Sequence, residues 1–158
     1  MAARLWAVLV LVCPSAVIAV ADDKADDGEK IQGLWAPTGI EVAGNQLPAD
    51  APPVKELRIL IKGDRFIFNP DHKSQPKREL GFVLDPRQSP KTLDLIPQDG
   101  TSKGKMFPAG IYELKGDQLA LCLDEAQLES GQPGDRPRAF VTRKGDGLMV
   151  LILKRVKP

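Results

Sequence analysis

Three copies of the tripeptide Lys-Gly-Asp, at residues 62–64, 115–117 and 144–146, are the strongest constraint on the fold of this chain. Each copy stands between two runs in which apolar and polar residues alternate. Glycine accepts the positive φ that a tight turn needs, and alternation with period two is the pattern of a strand with one buried face. The three copies therefore predict consecutive β-hairpins and an all-β fold.

The register of the first hairpin follows if residues 63–64 form its two-residue loop. Ile61 then faces Phe66 and Ile59 faces Phe68, so four large apolar side chains share one face. A slip of one residue would scatter this set between the two faces. The pattern therefore predicts one specific register.

The second hairpin gives a similar result with residues 116–117 as its loop. Leu114 then faces Leu119 and Tyr112 faces Leu121, again on a single face. The agreement between the two hairpins favours a sheet with one continuous apolar face.

The third copy predicts a hairpin with strands near residues 138–143 and 148–155. Phe140 and Met149 can then lie on the same apolar face. Lys-Gly-Asp can also be read as an adhesion-receptor recognition tripeptide, but turn chemistry accounts for all three copies.

Residues 1–21 have the composition of a secretory signal peptide. Arg4 precedes an apolar run over residues 5–12, and residues 19–21 read Ala-Val-Ala, a small-residue cleavage pattern. The apolar stretch is shorter than the roughly 20 residues that a membrane-spanning helix needs. We therefore expect cleavage after residue 21 and an exported protein in the periplasm, the cell envelope or the extracellular space. We do not expect the cleaved protein to span a membrane.

Two segments are expected after cleavage: a flexible acidic tether over residues 22–30 and a single domain over residues 31–158. Arg4 is the one charged residue of the leader, so its loss leaves the 22 basic and 21 acidic residues of the chain equal in number. A chain without excess positive charge has no electrostatic reason to bind nucleic acid.

Catalytic and metal-binding residues are scarce. His72 is the only histidine, and Cys122 is the only cysteine outside the leader, so neither a standard zinc site nor an internal disulfide can form. We interpret Cys122 as a small apolar strand residue and His72 as a solvated loop residue. The sequence predicts no enzymatic activity, no cofactor and no metal site.

Several separated motifs resemble those of an uncharacterised family of small exported domains abundant in planctomycete bacteria. They lie at residues 31–35 (Ile-Gln-Gly-Leu-Trp), at residues 110–123, at Arg136-Pro137-x-x-Phe140 and at residues 151–155. The resemblance implies an antiparallel up-and-down lipocalin-like β-barrel of about eight strands. It implies no activity.

Lipocalins share a Gly-x-Trp in the first strand and an arginine at the end of the last strand. Gly33-x-Trp35 and Arg155 stand in the corresponding places. The resemblance implies that Trp35 and Arg155 pack together and close the base of the barrel, and an arginine over an indole is favourable by about 0.5–2 kcal/mol.

Two functions remain open, and we favour the first over the second. The first is a binding module that holds a small apolar or amphipathic molecule in the cell envelope. The second is a structural or protein-interaction module with a filled core and no ligand, because large side chains can plug a barrel as well as line it. The candidate lining residues are those predicted to face inward: Ile59, Ile61, Phe66, Phe68, Phe82, Leu93, Tyr112, Leu114, Leu119, Leu121 and Met149.

Overall fold

A computed structural model describes residues 27–71, 77–100, 102–124, 127 and 134–157. The predicted leader at residues 1–21 and His72 lie outside these residues. Within them the chain forms two short helices and nine strands: α1 Asp27–Lys30, β1 Gly33–Val42, β2 Asn45–Gln46, α2 Pro52–Glu56, β3 Ile59–Lys62, β4 Arg65–Phe68, β5 Arg78–Asp85, β6 Lys91–Pro97, β7 Phe107–Lys115, β8 Gln118–Asp124 and β9 Leu148–Arg155.

Eight of these strands close into an antiparallel up-and-down barrel. From β3 to β9 every strand pairs with the next one along the chain, and β1 pairs with both β3 and β9. The short β2 pairs with the far end of β1 on the same side as β3. The lipocalin-like barrel predicted from the sequence is therefore confirmed.

The first two Lys-Gly-Asp turns form the predicted hairpins. Ile61 pairs with Phe66 across β3 and β4, and Leu114 pairs with Leu119 across β7 and β8. The turn glycines have φ values of 60° and 57°, in the left-handed region that glycine accepts without strain. Both predicted registers are confirmed.

The third predicted hairpin is wrong. Residues 138–143 form no strand, because β9 already pairs with β8 on one side and β1 on the other and has no free edge. The carboxylate of Asp146 accepts hydrogen bonds from the backbone N–H groups of Arg143 and Leu148, at 2.6 and 3.0 Å. The third copy is therefore a turn closed by a side chain before the last strand.

The first strand carries an irregularity, and its connection to β3 holds the second helix. The β1–β9 register shifts between Pro37 and Gly39, at the point where proline cannot donate a hydrogen bond. Residues 52–56 form α2, and the buried Val54 packs this helix onto the interior core.

Apolar side chains form two separate clusters. The larger one fills the barrel and draws buried residues from all eight barrel strands. The smaller one, here called the outer cluster, lies on the reverse face of β7, β8 and β9 and holds Ile111, Cys122 and Val150. Phe140 packs against this outer cluster, not on the inner face that we predicted for it. The segment that carries it, residues 134–143, is here called the strap.

The predicted tether does not extend to residue 30. Residues 27–30 form α1, and Asp27 is only 4% exposed. The acidic composition of this stretch indicated solvation, but one of its carboxylates is directed into the protein. The rest of the predicted tether, residues 22–26, lies outside the described residues.

Candidate functional site

The base of the barrel is closed by the predicted tryptophan–arginine pair. Trp35 and Arg155 face each other across β1 and β9, and the guanidinium carbon lies 4.2 Å from the centre of the indole ring. Trp35 is fully buried, and its Nε1 donates a hydrogen bond of 2.9 Å to the carbonyl of Ile31. The indole therefore makes a polar bond at one edge and a cation–π contact over its face.

Arg155 also binds the chain that enters the barrel. Its guanidinium donates to the carbonyls of Gln32 and Lys30, and its Nε donates to the carboxylate of Asp117 at 3.1 Å. Gly33 has a φ of 129°, and a side chain there would meet the Arg155 guanidinium at 2.8 Å. The glycine of the Gly-x-Trp motif is therefore required for this arginine to reach the backbone.

A buried carboxylate joins α1 to the inner wall. One oxygen of Asp27 accepts hydrogen bonds from Lys91 Nζ at 2.6 Å and from the Tyr112 hydroxyl at 2.8 Å. Burial, together with the hydrogen bond to Asp27, raises the pKa of Tyr112, so the phenol stays protonated. The Tyr112 hydroxyl needs a partner inside the barrel, and α1 supplies it.

A reciprocal pair of hydrogen bonds attaches the same segment to the first Lys-Gly-Asp turn. Gln32 Nε2 donates to the carbonyl of Gly63 at 3.1 Å, and Gly63 N donates to Gln32 Oε1 at 2.8 Å. The fully buried Ile31 completes the closure. Residues 27–32 therefore seal the base through polar and apolar contacts together.

The predicted lining residues all face the barrel interior and belong to its core. Most are at most 1% exposed, and a smaller set is half-buried and packs against the same core. Phe66 contacts Phe68 and Phe82, with ring centres 5.4 and 5.9 Å apart. The fully buried members are Ile59, Ile61, Phe66, Leu93, Tyr112, Leu119 and Leu121, and the half-buried ones are Phe68, Phe82, Leu114 and Met149.

The clefts that described residues line are small inside the barrel and large outside it. A cleft of about 10 Å³ reaches the inner wall near the mouth, between Leu80, Leu95 and Ala109. Two larger clefts lie outside the core. A cleft of about 610 Å³ lies at the base beside Asp27 and Arg155, and a cleft of about 720 Å³ lies between the outer wall and Arg136 of the strap. The cleft near the mouth suits one water molecule, whereas a drug-sized ligand needs about 300–1,000 Å³.

Two polar side chains, Arg78 and Gln127, line the small interior cleft. Gln127 is 5% exposed, and its Nε2 donates to Asp124 and to the carbonyl of Asp135. Its Oε1 is buried and accepts no hydrogen bond within the part of the chain that the structure describes. A single water in the adjoining cleft would satisfy this oxygen.

The strap is fastened to the outer wall by polar side chains. Arg136 donates to the carbonyls of Leu93 and Gly110 at 3.0 and 2.8 Å, where the β6–β7 register shifts, and it also binds the carboxylate of Asp94. Thr142 donates to Glu41 at 2.8 Å. These bonds hold a segment that contributes no strand.

Cys122 lies beneath the strap and is fully buried. Burial raises the pKa of its thiol to about 11, well above the ordinary value. The thiol is therefore protonated at neutral pH, which agrees with its interpretation as a small apolar residue.

The sequence missed residues that complete the base and the strap. Asp27 and Lys91 are charged residues in polar stretches, and nothing in their local pattern distinguishes them from solvated neighbours. Arg136 belongs to the motif Arg136-Pro137-x-x-Phe140, but nothing in that motif indicates which groups its guanidinium binds. A signal for Asp27 did exist, because an inward-facing tyrosine hydroxyl such as that of Tyr112 must find a hydrogen-bond partner.

No group of three or more histidine, cysteine, aspartate or glutamate side chains suited to a metal ion occurs among the described residues. Within the same residues, no helix has the length and apolar character required to cross a membrane.

Comparisons with family models, with curated proteins and with solved structures found no match to this chain.

Proposed function

We propose that this protein is an exported module whose barrel is filled by its own side chains and which acts through its outer surface. The observation that carries the proposal is the packing of the interior. The inward-facing residues of β3, β4, β6, β7 and β8 are almost all fully buried, and a cleft that reaches the inner wall near the mouth measures about 10 Å³.

The closure of the base supports the same function. Trp35, Ile31 and Arg155 occupy the floor of the barrel, and α1 is fastened beneath them by Asp27. A carrier that admitted an apolar molecule from this end would first have to break the partly buried ion pair of Asp27 with Lys91 and several hydrogen bonds. At the other end, α2 packs Val54 onto the core.

The proposal is tested with apolar probes on a chain that begins at Asp22, which retains every described element. We expect no uptake of a fluorescent fatty acid and no benzene-dependent rise in thermal stability. Leu121→Ala removes a fully buried inward side chain and should create a dry cavity that takes benzene. Leu60→Ala, an equal truncation on the outer face, should take neither probe.

The ligand-carrier function is the other outcome of this experiment. Stoichiometric uptake of the fatty acid by the unaltered chain, with a change in the emission of Trp35, would replace the filled-barrel proposal with a carrier. Recovery of one lipid in organic extracts of the purified protein would have the same meaning.

A further inference from the structure

One stretch of the outer wall has an apolar row that packs against neither cluster. Leu34, Leu60 and Ile67 are neighbours across β1, β3 and β4, and Val156 continues the row past the end of β9. The first three are half-buried and Val156 is 38% exposed. At about 4.8 Å per strand, the row extends roughly 14 Å across the barrel. We call these four residues the outer row.

Cations flank the outer row on both sides. Lys62 and Arg58 lie two residues to either side of Leu60, and Lys154 lies two residues before Val156, so all three point outward with the row. Lys62 and Lys154 form no ion pair with any described residue. The guanidinium of Arg58 donates to the backbone carbonyls of Lys55 and Leu57 and keeps its charge unneutralised.

The carboxylates of Asp64 and Glu79 do not cancel the charge of Lys62. Asp64 and Glu79 both lie close to Arg65, at 3.1 and 3.9 Å, and Glu79 also contacts Lys77 at 3.4 Å. These acids are therefore already paired with other cations. Two further acids, Glu56 and Asp71, line a cleft together with Leu34, Arg58 and Lys55. Charge is therefore mixed at the Arg58 end of the outer row. Lys62 and Lys154 border the rest of it, although the domain as a whole is close to neutral.

We propose that the outer row and its flanking cations dock this protein onto an anionic lipid surface. Leucine, isoleucine and valine side chains can enter the boundary between headgroups and acyl chains, while lysine and arginine bind the anionic headgroups beside them. The inference deepens the proposed function, since it names the surface through which a filled barrel would act and the class of partner.

Other occupants fit this surface less well. A second copy bound through the same face would place its cations against those of the first copy. The barrel is closed, so no strand edge is available here for pairing with a strand of another protein. A lipid surface requires neither a groove nor a strand edge.

The test is co-sedimentation of the chain beginning at Asp22 with vesicles. One set contains phosphatidylglycerol and phosphatidylcholine at one to three, and the other contains phosphatidylcholine alone. We expect binding to the first set that falls as salt is raised, and much weaker binding to the second. Equal binding to both sets, or binding to neither, would overturn the proposal.

Matched variants locate the surface. Lys62→Gln combined with Lys154→Gln should weaken partitioning onto the anionic vesicles by about 30-fold. Lys103→Gln combined with Lys105→Gln removes the same charge from exposed positions between β6 and β7 and should leave partitioning unchanged. Equal losses in the two double variants would overturn the assignment to this face.

An apolar variant tests the row itself. Leu60→Asn should reduce partitioning by about tenfold, while unchanged emission from Trp35 confirms that the barrel is folded. If this variant fails to fold, the paired lysine variants still test whether this face binds the vesicles. Lys62 and Lys154 are both exposed, so replacing them should leave the barrel folded. A protein partner that crosslinks to Lys62 in the absence of vesicle binding would replace the lipid surface with a protein surface.

These results are independent of the apolar-probe experiment. A barrel that takes up fatty acid while the lysine variants still lose vesicle binding would reject the filled core and keep the docking surface. A barrel that excludes both probes while no variant changes vesicle binding would keep the filled core and reject the docking surface.

Discussion

The barrel interior and the outer cluster are both apolar, but they are sealed in different ways. The interior is enclosed by a continuous ladder of backbone hydrogen bonds that closes when β1 pairs with β9. The outer cluster is covered by the strap, which has no strand and is held by Arg136 and Thr142. A covering segment outside the sheet therefore depends on a few polar side chains, whereas the barrel wall shares its hydrogen bonds among many residues.

The largest expected effect comes from the floor of the interior. Trp35→Ala should lower the free energy of unfolding by about 3–5 kcal/mol, because it empties a large buried volume and leaves the Ile31 carbonyl without its donor. Since small domains are stable by only about 5–15 kcal/mol, this variant is close to the limit of folding. Urea unfolding followed by circular dichroism measures the loss. A loss below about 1 kcal/mol would contradict the enclosure of the indole.

Truncation inside and outside the barrel compares the two clusters directly. Leu121→Ala in the fully enclosed interior should cost about 2–5 kcal/mol. Phe140→Ala removes a larger side chain from the outer cluster but should cost only about 1–2 kcal/mol, because Phe140 is half-buried. Urea midpoints of the two variants give the order. The reverse order would mean that the strap contributes more to stability than the interior does.

The arginine at the base should contribute less than the tryptophan beneath it. Arg155→Ala should cost about 2–3 kcal/mol, since it loses the cation–π contact and the bonds to the carbonyls of Gln32 and Lys30. Arg155→Lys keeps the charge but not the forked geometry and should recover only part of the loss. Chemical denaturation of the three proteins tests this, and a larger loss than that of Trp35→Ala would contradict the stacked arrangement.

A smaller effect is expected where the strap is fastened. Thr142→Val conserves shape but removes the hydroxyl that donates to Glu41 and accepts from Gly44, and it should cost about 1–2 kcal/mol. Thr38→Val is the matched control, because Thr38 is exposed and its hydroxyl makes one bond of 3.2 Å. Thermal unfolding should separate the two variants. Equal shifts would show that the hydroxyl of Thr142 is not a fastening point.

The least disruptive measurement uses the thiol under the strap. With a pKa of about 11, Cys122 should resist alkylation by iodoacetamide at pH 8 in the folded protein and react readily in urea. Because this pKa lies above the ordinary value of 9.0, the folded state should lose stability as pH rises from about 9 through about 11. Mass spectrometry counts the modified protein, and rapid labelling of the folded chain would mean that the strap opens. Thr142→Val should then label faster than the unaltered chain, which connects this result to the previous one.

Much of the candidate site was predictable because it follows local patterns. The inward residues of the first two hairpins follow from alternation and from the length of a two-residue loop, so Ile59, Phe66 and Leu121 could be placed from sequence alone. Asp27 and Arg136 could not, because their partners lie 64 or more and 26 or more residues away along the chain. The local composition around each of them is that of a solvated segment.

What the amino-acid sequence determined by itself is the strand register. Side-chain alternation and glycine turns act over a few residues, and they set which side chains face inward on β3, β4, β7 and β8. The tertiary structure alone decided the partners of Asp27 at the base and of Arg136 in the strap. Lys-Gly-Asp forms a hairpin where a strand edge is free and only a turn where β9 is already paired on both sides. The physical reason is that the backbone groups on one edge of a strand can pair with only one neighbouring strand. Whether an edge is still free depends on strands that are distant in the chain.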